Sequence, residues 1–341
     1  MATAKPGSNS LPTISDLPDW VTELSNAVRN PIELCRILRL PKRLAGPVSD
    51  AAREYPILVP RPYLSKIRPG DPNDPLLLQV LPTDDELKRA ERFTPDPLGE
   101  FNAPHGSIVL WKYKNRILML TTSHCGVHCR FCFRRHFPHP STSGSISDLS
   151  SGLAKISQEE SISEVILSGG DPLCRSDDEL AELAGQLAKI DHVRRLRIHT
   201  RMPIMIPQRI NDSLLTWLTA TRLTPLMVIH VNHPREIDPQ VTGAFRRLLD
   251  SGVPLLSQTV LLRGVNDRLE VLAELCESLI DFGVIPYYLH QLDRVAGATH
   301  FEVPVSKGIE LVKQLRTLLP GYAVPRYARE TIGAKNKELL A

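Results

Sequence analysis

From about residue 107 onward, short apolar and β-branched runs alternate with longer stretches in which apolar residues recur every three or four positions. Short runs closed by polar or glycine-rich breaks read as strands, and sustained three-to-four spacing reads as an amphipathic helix. The predicted strands are 117–121, 164–168, 196–200, 226–231, 255–261 and 285–289; the predicted helices are 147–160, 177–190, 209–220, 237–251, 267–282 and 306–318. Six strand–helix units with right-handed crossovers make a parallel sheet, either open and doubly wound or curled into a full or partial barrel. The first hundred or so residues differ. Apolar helical pieces such as 32–38 are separated there by proline-rich connections around 56–62 and 69–75, which predicts an irregular, partly helical extension. The expected division is an N-terminal extension over 1–105, a barrel domain over 106–330 and a C-terminal segment over 331–341.

Nearly every predicted strand runs into a reactive or glycine-rich cluster. Cys125 follows the first, Gly169-Gly170-Asp171 the second and Thr200-Arg201 the third; His230, Asn232 and His233 lie near the end of the fourth, Gln258 within the fifth, and His290 and Asp293 after the sixth. Parallel α/β folds place their sites at the carboxyl ends of the strands, so these residues point to one shared site. In Ser168-Gly169-Gly170-Asp171-Pro172 the glycines allow backbone to come close to a ligand, although a Gly-Gly pair is also an ordinary turn.

Charge and composition narrow the partner class. The chain has 341 residues, with 41 Lys and Arg against 38 Asp and Glu, a formal charge of +3 spread without a basic stripe or tail. That argues against nucleic acid and for a small-molecule or protein substrate. The first residues lack the apolar core of a signal peptide, and no stretch reaches the ~18 apolar residues of a membrane span. A soluble, cytoplasmic protein with no membrane association is expected, and there is no internal repeat or low-complexity tract.

Of six cysteines, Cys125, Cys129 and Cys132 are clustered while Cys35, Cys174 and Cys276 are scattered, a poor plan for a disulfide framework. A single loop with spacings of four and three can wrap one metal centre, and soft sulfur selects zinc, copper(I) or an iron–sulfur cluster. A structural zinc needs four ligands; His128, His136 or His139 could add one, but no further Cys or His pair follows at a usual spacing. Three thiols around Gly126 are also poor apolar filler. Ligation is the economical reading, and three cysteines on a [4Fe–4S] cube leave one iron open.

The Cys-x3-Cys-x2-Cys spacing with Phe131 before the last cysteine resembles the signature of radical S-adenosylmethionine (SAM) enzymes. In that superfamily the open iron chelates SAM, and one electron from the cluster cleaves it to a 5′-deoxyadenosyl radical. Read with its flanks, Arg116-Ile-Leu-Met-Leu, Cys132-Phe-Arg134-Arg135-His136-Phe137, Arg197-Ile-His-Thr-Arg201, Gln258-Thr-Val-Leu-Leu-Arg263-Gly264-Val265-Asn266-Asp267, Pro286-Tyr-Tyr-Leu-His290 and Pro304-Val-Ser-Lys-Gly308, the chain resembles the lysine 2,3-aminomutase family over roughly residues 100–337. Val59-Pro-Arg-Pro62 and the stretch from Gly70 to Leu77 resemble the branch whose product, (R)-β-lysine, modifies elongation factor P.

The resemblance implies an α/β fold, the radical SAM partial (β/α)6 barrel with a mainly helical N-terminal extension that covers the site. It implies an isomerase that moves the amino group of free L-lysine from C2 to C3, using a [4Fe–4S] cluster on Cys125, Cys129 and Cys132, SAM, and pyridoxal 5′-phosphate (PLP). In the family the PLP lysine stands seven residues after an acid, as Lys337 stands after Glu330, with Lys335 as its competitor here. Arg134 would grip the substrate carboxylate, unless it is simply a cation beside an anionic cluster. Asp293 and Glu330 would take the ε-ammonium. Tyr113 and Arg116 would lie near the PLP phosphate, His230 and Gln258 near SAM, and Ser168, Gly169, Gly170 and Asp171 along the cofactor site; each is otherwise a satisfied polar residue of a strand end. Longer members carry a zinc-binding cysteine tail whose partner position is Arg268 here, so no structural zinc and a simpler assembly are expected. The implied partners are a one-electron reductant protein of flavodoxin or ferredoxin type and, through the product, elongation factor P and its ligase. Two rival readings stay open: an aminomutase for another amino acid, and a non-catalytic iron–sulfur electron-transfer or regulatory protein.

Overall fold

The computed structural model describes residues 19–41, 44–102, 108–138 and 146–341; His139 and the N-terminal stretch searched for a signal peptide lie outside them. One sheet runs in chain order through β1 (Val109–Tyr113), β2 (Arg116–Thr122), β3 (Glu164–Gly169), β4 (Arg195–Thr200), β5 (Thr224–His230), β6 (Leu255–Leu261), β7 (Val284–Gln291), β8 (Arg326–Arg329) and β9 (Glu338–Leu339). β2 to β8 are parallel neighbours, while β1 and β9 add antiparallel edges. Among the described residues the two edges do not pair with each other, so the sheet is an open, partial barrel. The six predicted strands correspond to β2–β7. The seventh parallel strand, β8, escapes the hydrophobic pattern because Arg326-Tyr327-Ala328-Arg329 offers only two buried residues between exposed arginines.

The sequence Arg195-Leu-Arg-Ile-His-Thr200 shows how the barrel is sorted. Strand side chains alternate between faces, so Leu196 and Ile198 point outward into the core while Arg195, Arg197 and His199 point inward to a cavity. The same alternation puts Ile166 and Ser168 of β3, Leu256, Gln258 and Val260 of β6, and Tyr288 and His290 of β7 on the inner wall. Outward residues such as Val165, Leu167, Met227, Ile229 and Leu255 pack in one large apolar cluster.

The N-terminal segment contributes α1 (Asp19–Ser25), α2 (Pro31–Ile37), α3 (Ala45–Glu54) and two single turns, α4 (Arg61–Leu64) and α5 (Pro75–Leu78). Between the strands run α6 (Ile146–Gln158), α7 (Asp177–Ala188), a one-turn α8 (Met202–Met205), α9 (Asp212–Thr219), α10 (Pro239–Asp250), α11 (Leu269–Asp281) and α12 (Val305–Leu318). Several start where their sequences say they should: Ser176 and Glu179 form a capping box on α7, and the side chains of Asn211 and Asp238 cap α9 and α10. These caps satisfy amide donors that the first turn leaves unpaired.

Leu34, Val59, Tyr63 and Leu76 of the N-terminal segment are buried in the same apolar cluster as the strands' outer faces. Polar contacts fasten this segment to the loop after β2. Glu86 is buried, with a side chain 1 % exposed, and accepts from Arg130 Nε and Nη2 at 2.8 and 2.6 Å and from Arg135 Nη2 at 2.8 Å. Backbone bonds add to it, His128 N to Leu58 O at 3.1 Å and Arg130 N to Gln79 O at 2.9 Å. Removing the charge of one member of a buried ionic group leaves the others uncompensated. Glu86→Gln is therefore expected to lower the unfolding free energy by about 3–5 kcal/mol, read as a shifted midpoint in urea; a change below about 1 kcal/mol would show that the three side chains do not act as a unit.

Candidate active site

β2 delivers the chain into the cysteine loop, and the glycines after β3 let that loop lie close. Gly170 N donates to Thr122 O and Asp171 N to His124 O, both at 2.7 Å. A Cβ on Gly169 would stand 2.4 Å from Thr122 O, and one on Gly170 would stand 2.1 Å from His124 O. The Gly-Gly pair thus makes room first for another chain segment, and both residues also line the cavity. Gly126 is tight in the same way, its Cβ direction running into Met202 Sδ at 2.4 Å.

Cys125, Cys129 and Cys132 face a cavity of about 820 Å³. Burial, followed by repulsion from neighbouring thiols, pushes Cys125 far up, and the same causes push Cys132 up to about 11. Metal-free, Cys125 and Cys132 are held as thiols; thiolates at these two positions need a strong local positive charge, which iron provides. Among the described residues no three His, Cys, Asp or Glu side chains converge to cage a single metal ion. Three soft donors on the wall of a large void fit a polynuclear cluster bound through three of its metals. The histidines weighed as a fourth ligand are engaged elsewhere, His128 Nδ1 with Pro56 O at 2.9 Å and His136 Nε2 with Ala296 O at 3.1 Å.

The three cysteines, Tyr113, Arg116, Arg134, Ser168, Gly169, Gly170, Asp171, His230, Gln258, Asp293, Glu330 and Lys337 line this one cavity, whereas Asn232 and His233, expected at the same site, and Lys335 do not; nor are the lining residues equally free for a ligand. Asp171 is fully committed: its carboxylate accepts from Thr200 Oγ1 at 2.7 and 2.9 Å, from Arg201 N at 2.7 Å and from Leu173 N at 3.0 Å. It organises the turn that brings Arg201 against the cluster loop, where Arg201 Nη1 donates to Cys129 Sγ at 2.7 Å. His230 Nε2 meets Asn232 Oδ1 at 3.2 Å, and burial together with the charge of Arg201 lowers it to about 3, so it is a neutral ring. Gln258 presents its amide from the middle of β6.

Across the cavity, Glu330 follows β8 and accepts from both Lys337 Nζ and the Tyr113 hydroxyl. Lys337 Nζ lies 5.6 Å from the Tyr288 ring centre, and the Arg116 guanidinium stacks 4.6 Å over Tyr113. Lys335 is exposed, whereas Lys337 faces the cavity.

The Radical SAM superfamily profile matches residues 119–276. An L-lysine 2,3-aminomutase from Haemophilus influenzae is 44 % identical over 330 residues, covering 97 % of this chain and 98 % of the relative. The chain belongs to the radical SAM lysine 2,3-aminomutase family. The enzyme is accordingly an isomerase. L-lysine 2,3-aminomutases from Escherichia coli and Clostridium subterminale are 43 % and 37 % identical, each over 325 residues, covering 94 % and 78 % of their own lengths. Among solved structures, a radical SAM methyltransferase from Sphaerobacter thermophilus is similar over 64 % of this chain and 68 % of its own, at 16 % identity and a TM-score of 0.45.

The aminomutase cavity also contains groups that the sequence pattern did not single out, notably Glu100, Lys112, Arg197, His199 and Tyr288. Arg197 and His199 were legible in principle, as inward positions of an alternating strand. Glu100 and Lys112 were not, since one lies in an irregular segment and the other in an edge strand with no motif around it. His199 and His290 are both driven well below the usual imidazole range, first by burial and then by nearby cations, Arg197 for His199 and Lys337 for His290.

Asp293, just past β7, behaves oppositely to Glu330. Burial pushes its carboxyl up to about 7, with Lys337 pulling it down and Glu330 adding to the rise. Its folded pKa thus exceeds the ordinary ~3.9 of an unfolded aspartate. Between about pH 4 and 7 the folded chain binds a proton that the unfolded chain has released, so this group subtracts stability as pH rises through that window. Asp293→Asn removes the effect. Its melting temperature is expected to rise relative to the parent's from pH 5 to pH 8, by the equivalent of roughly 1–2 kcal/mol for a carboxyl that faces a cavity; parallel melting curves across that range would place the Asp293 proton elsewhere.

Proposed function

We propose that the enzyme converts free L-lysine into (R)-β-lysine, with PLP carried by Lys337. The observation that carries this reading is the set of charges that line the cavity: a guanidinium, Arg134, and two carboxyl groups, Asp293 and Glu330, around a void of about 820 Å³. A lysine zwitterion has a carboxylate at one end and an ε-ammonium at the other, and it matches that set. An amino acid with an apolar or acidic side chain lacks the distal cation that would justify two acids.

When bound, the cluster with SAM supplies a hydrogen-abstracting radical, and PLP supplies a carbonyl that can hold the migrating nitrogen. The chain's own residues do the rest. Cys125, Cys129 and Cys132 hold the cluster and leave one iron for SAM, beside Ser168, Gly169, Gly170, His230 and Gln258. Tyr113 and Arg116 approach the PLP phosphate. Arg134 binds the substrate carboxylate by charge-assisted hydrogen bonds, and Asp293 with Glu330 fixes the ε-ammonium so that C3 faces the radical source. Tyr55 and Leu98 of the N-terminal segment form part of the wall, helping to keep water and stray hydrogen donors away. Among the described residues no helix is long and apolar enough to cross a membrane. The N-terminal motifs, and identity to relatives matched over nearly their whole length, support a role in supplying (R)-β-lysine to elongation factor P and its ligase in the cytoplasm, with a flavodoxin or ferredoxin as the electron source.

Anaerobic reconstitution with iron, sulfide, PLP, SAM and a reductant is expected to yield β-lysine from L-lysine by chromatography, and unchanged lysine would sink the assignment. Lys337→Ala should abolish turnover and no longer be trapped with PLP by borohydride, while Lys335→Ala should retain both. Asp293→Ala should raise the KM for lysine about a hundred-fold, the cost of leaving a charged partner unpaired. If Asp293→Lys leaves the preference for lysine intact, the substrate reading fails and a different amino acid becomes the better candidate.

A further inference from the structure

Arg134, the residue assigned above to the substrate carboxylate, is already held from one side. Its Nε and Nη2 donate to the two oxygens of Glu100 at 2.7 and 3.1 Å, and its Nη1 donates to Ser168 Oγ at 3.2 Å. Glu100 also pairs with Lys112 Nζ at 2.9 Å, and its side chain is 4 % exposed. Local structure fixes Glu100 in turn: Asp96 accepts from the backbone N–H of Glu100 at 2.8 Å and of Phe101 at 2.9 Å, at the start of the short turn Glu100–Asn102.

A guanidinium carries five N–H groups in one rigid plane. Three of them are engaged, two on Glu100 and one on Ser168. The two that remain lie one on each Nη, and those nitrogens form the end-on edge, a fork suited to a second carboxylate. Charge favours the same outcome. Burial would push Glu100 up, but Arg134 and Lys112 outweigh it and hold it at about 2, so it stays ionised. One carboxylate between two cations leaves a net positive charge at this corner of the cavity, partly screened because the Lys112 side chain is 33 % exposed, and such an excess favours an anion.

We propose that Glu100 is a positioning residue for substrate recognition: it clamps the side-on edge of Arg134 so that the end-on edge is presented to the α-carboxylate of the amino acid. This rests on the assignment of Arg134 made above. A merely structural ion pair would support folding without affecting how the enzyme tells a carboxylate from its neutral analogue. Glu100→Gln keeps the shape but turns an amide N–H toward the guanidinium, so the clamp is lost.

The test is titration of L-lysine and of lysinamide, which lacks the carboxylate, into anaerobically reconstituted enzyme without reductant, so that binding is read without turnover. Glu100→Gln is expected to weaken L-lysine binding about ten-fold or more while leaving lysinamide unaffected. In steady-state assays KM rises by a similar factor with kcat little changed. Glu100→Asp keeps the charge but draws the oxygens back by one methylene and should fall between parent and Gln, which keeps the test open if the Gln variant does not fold. The double variant with Arg134→Gln should bind lysine no more weakly than Arg134→Gln alone. If Arg134→Gln does not alter the lysine-to-lysinamide preference, the Arg134 assignment fails. If it does, and neither Glu100 variant follows, the inference about Glu100 fails by itself.

Discussion

One buried carboxylate, Glu86, gathers two arginines from the cysteine loop, and the placement of the three clustered thiols depends on it. Arg130 stands between Cys129 and Cys132 in sequence, and Arg135 follows three residues after Cys132; both also lie over the Tyr55 ring, at 4.8 and 4.5 Å. Desolvating three charges offsets most of what their attraction gains. The benefit is register, because a slip of one residue would leave a guanidinium unpaired in the interior. The loop is pinned on its other side by the Gly169-Gly170 crossing, where added side chains would collide with backbone oxygens. Held between these two constraints, the three sulfurs share one wall of the cavity.

The inner wall of the barrel inverts the usual rule for a protein interior. Inward positions carry Arg197, His199, His230, Gln258 and His290, while the apolar packing that stabilises the sheet is moved to its outer face. Burial keeps the imidazoles neutral, so they add hydrogen-bonding capacity without adding charge. Charged groups also face the cavity, Arg134, Arg197, Glu330 and Lys337 among them, and the low dielectric of the surroundings strengthens their attraction for an ionic ligand.

Much of this was legible in the sequence because it rested on local rules. Strands β2 to β7 followed from apolar runs, the helices between them from periodicity, and the cysteine loop from its spacing. What escaped was non-local. β8 has too few apolar residues to register as a strand and exists because β7 offers it a partner edge. The Gly169-Gly170 pair read either as an approach to a ligand or as an ordinary turn, whereas its first task is to admit the backbone of Thr122 and His124, a contact between segments distant in the chain. Glu100 sits in an irregular stretch where no periodicity draws attention, and only folding shows that it meets Arg134, 34 positions away. Asp171 was readable as polar chemistry, but not as a carboxylate already saturated by its own chain.

A side-chain bond links the two free margins of the sheet, from the Tyr113 hydroxyl of β1 to Glu330 just past β8, and Lys337, on the same β8–β9 side, braces that carboxylate. A closed barrel is sewn by a full ladder of backbone bonds along its last junction, and widening it means breaking many of them together. This seam carries that bond, worth on the order of 1–3 kcal/mol, with Gly333 at a left-handed φ of +76° in the stretch of chain between β8 and β9. Separating the two margins along this line would leave every strand paired with its neighbours. Because Lys337 shares the Glu330 carboxylate with Tyr113, whatever takes hold of its nitrogen also changes how strongly that carboxylate grips the far margin.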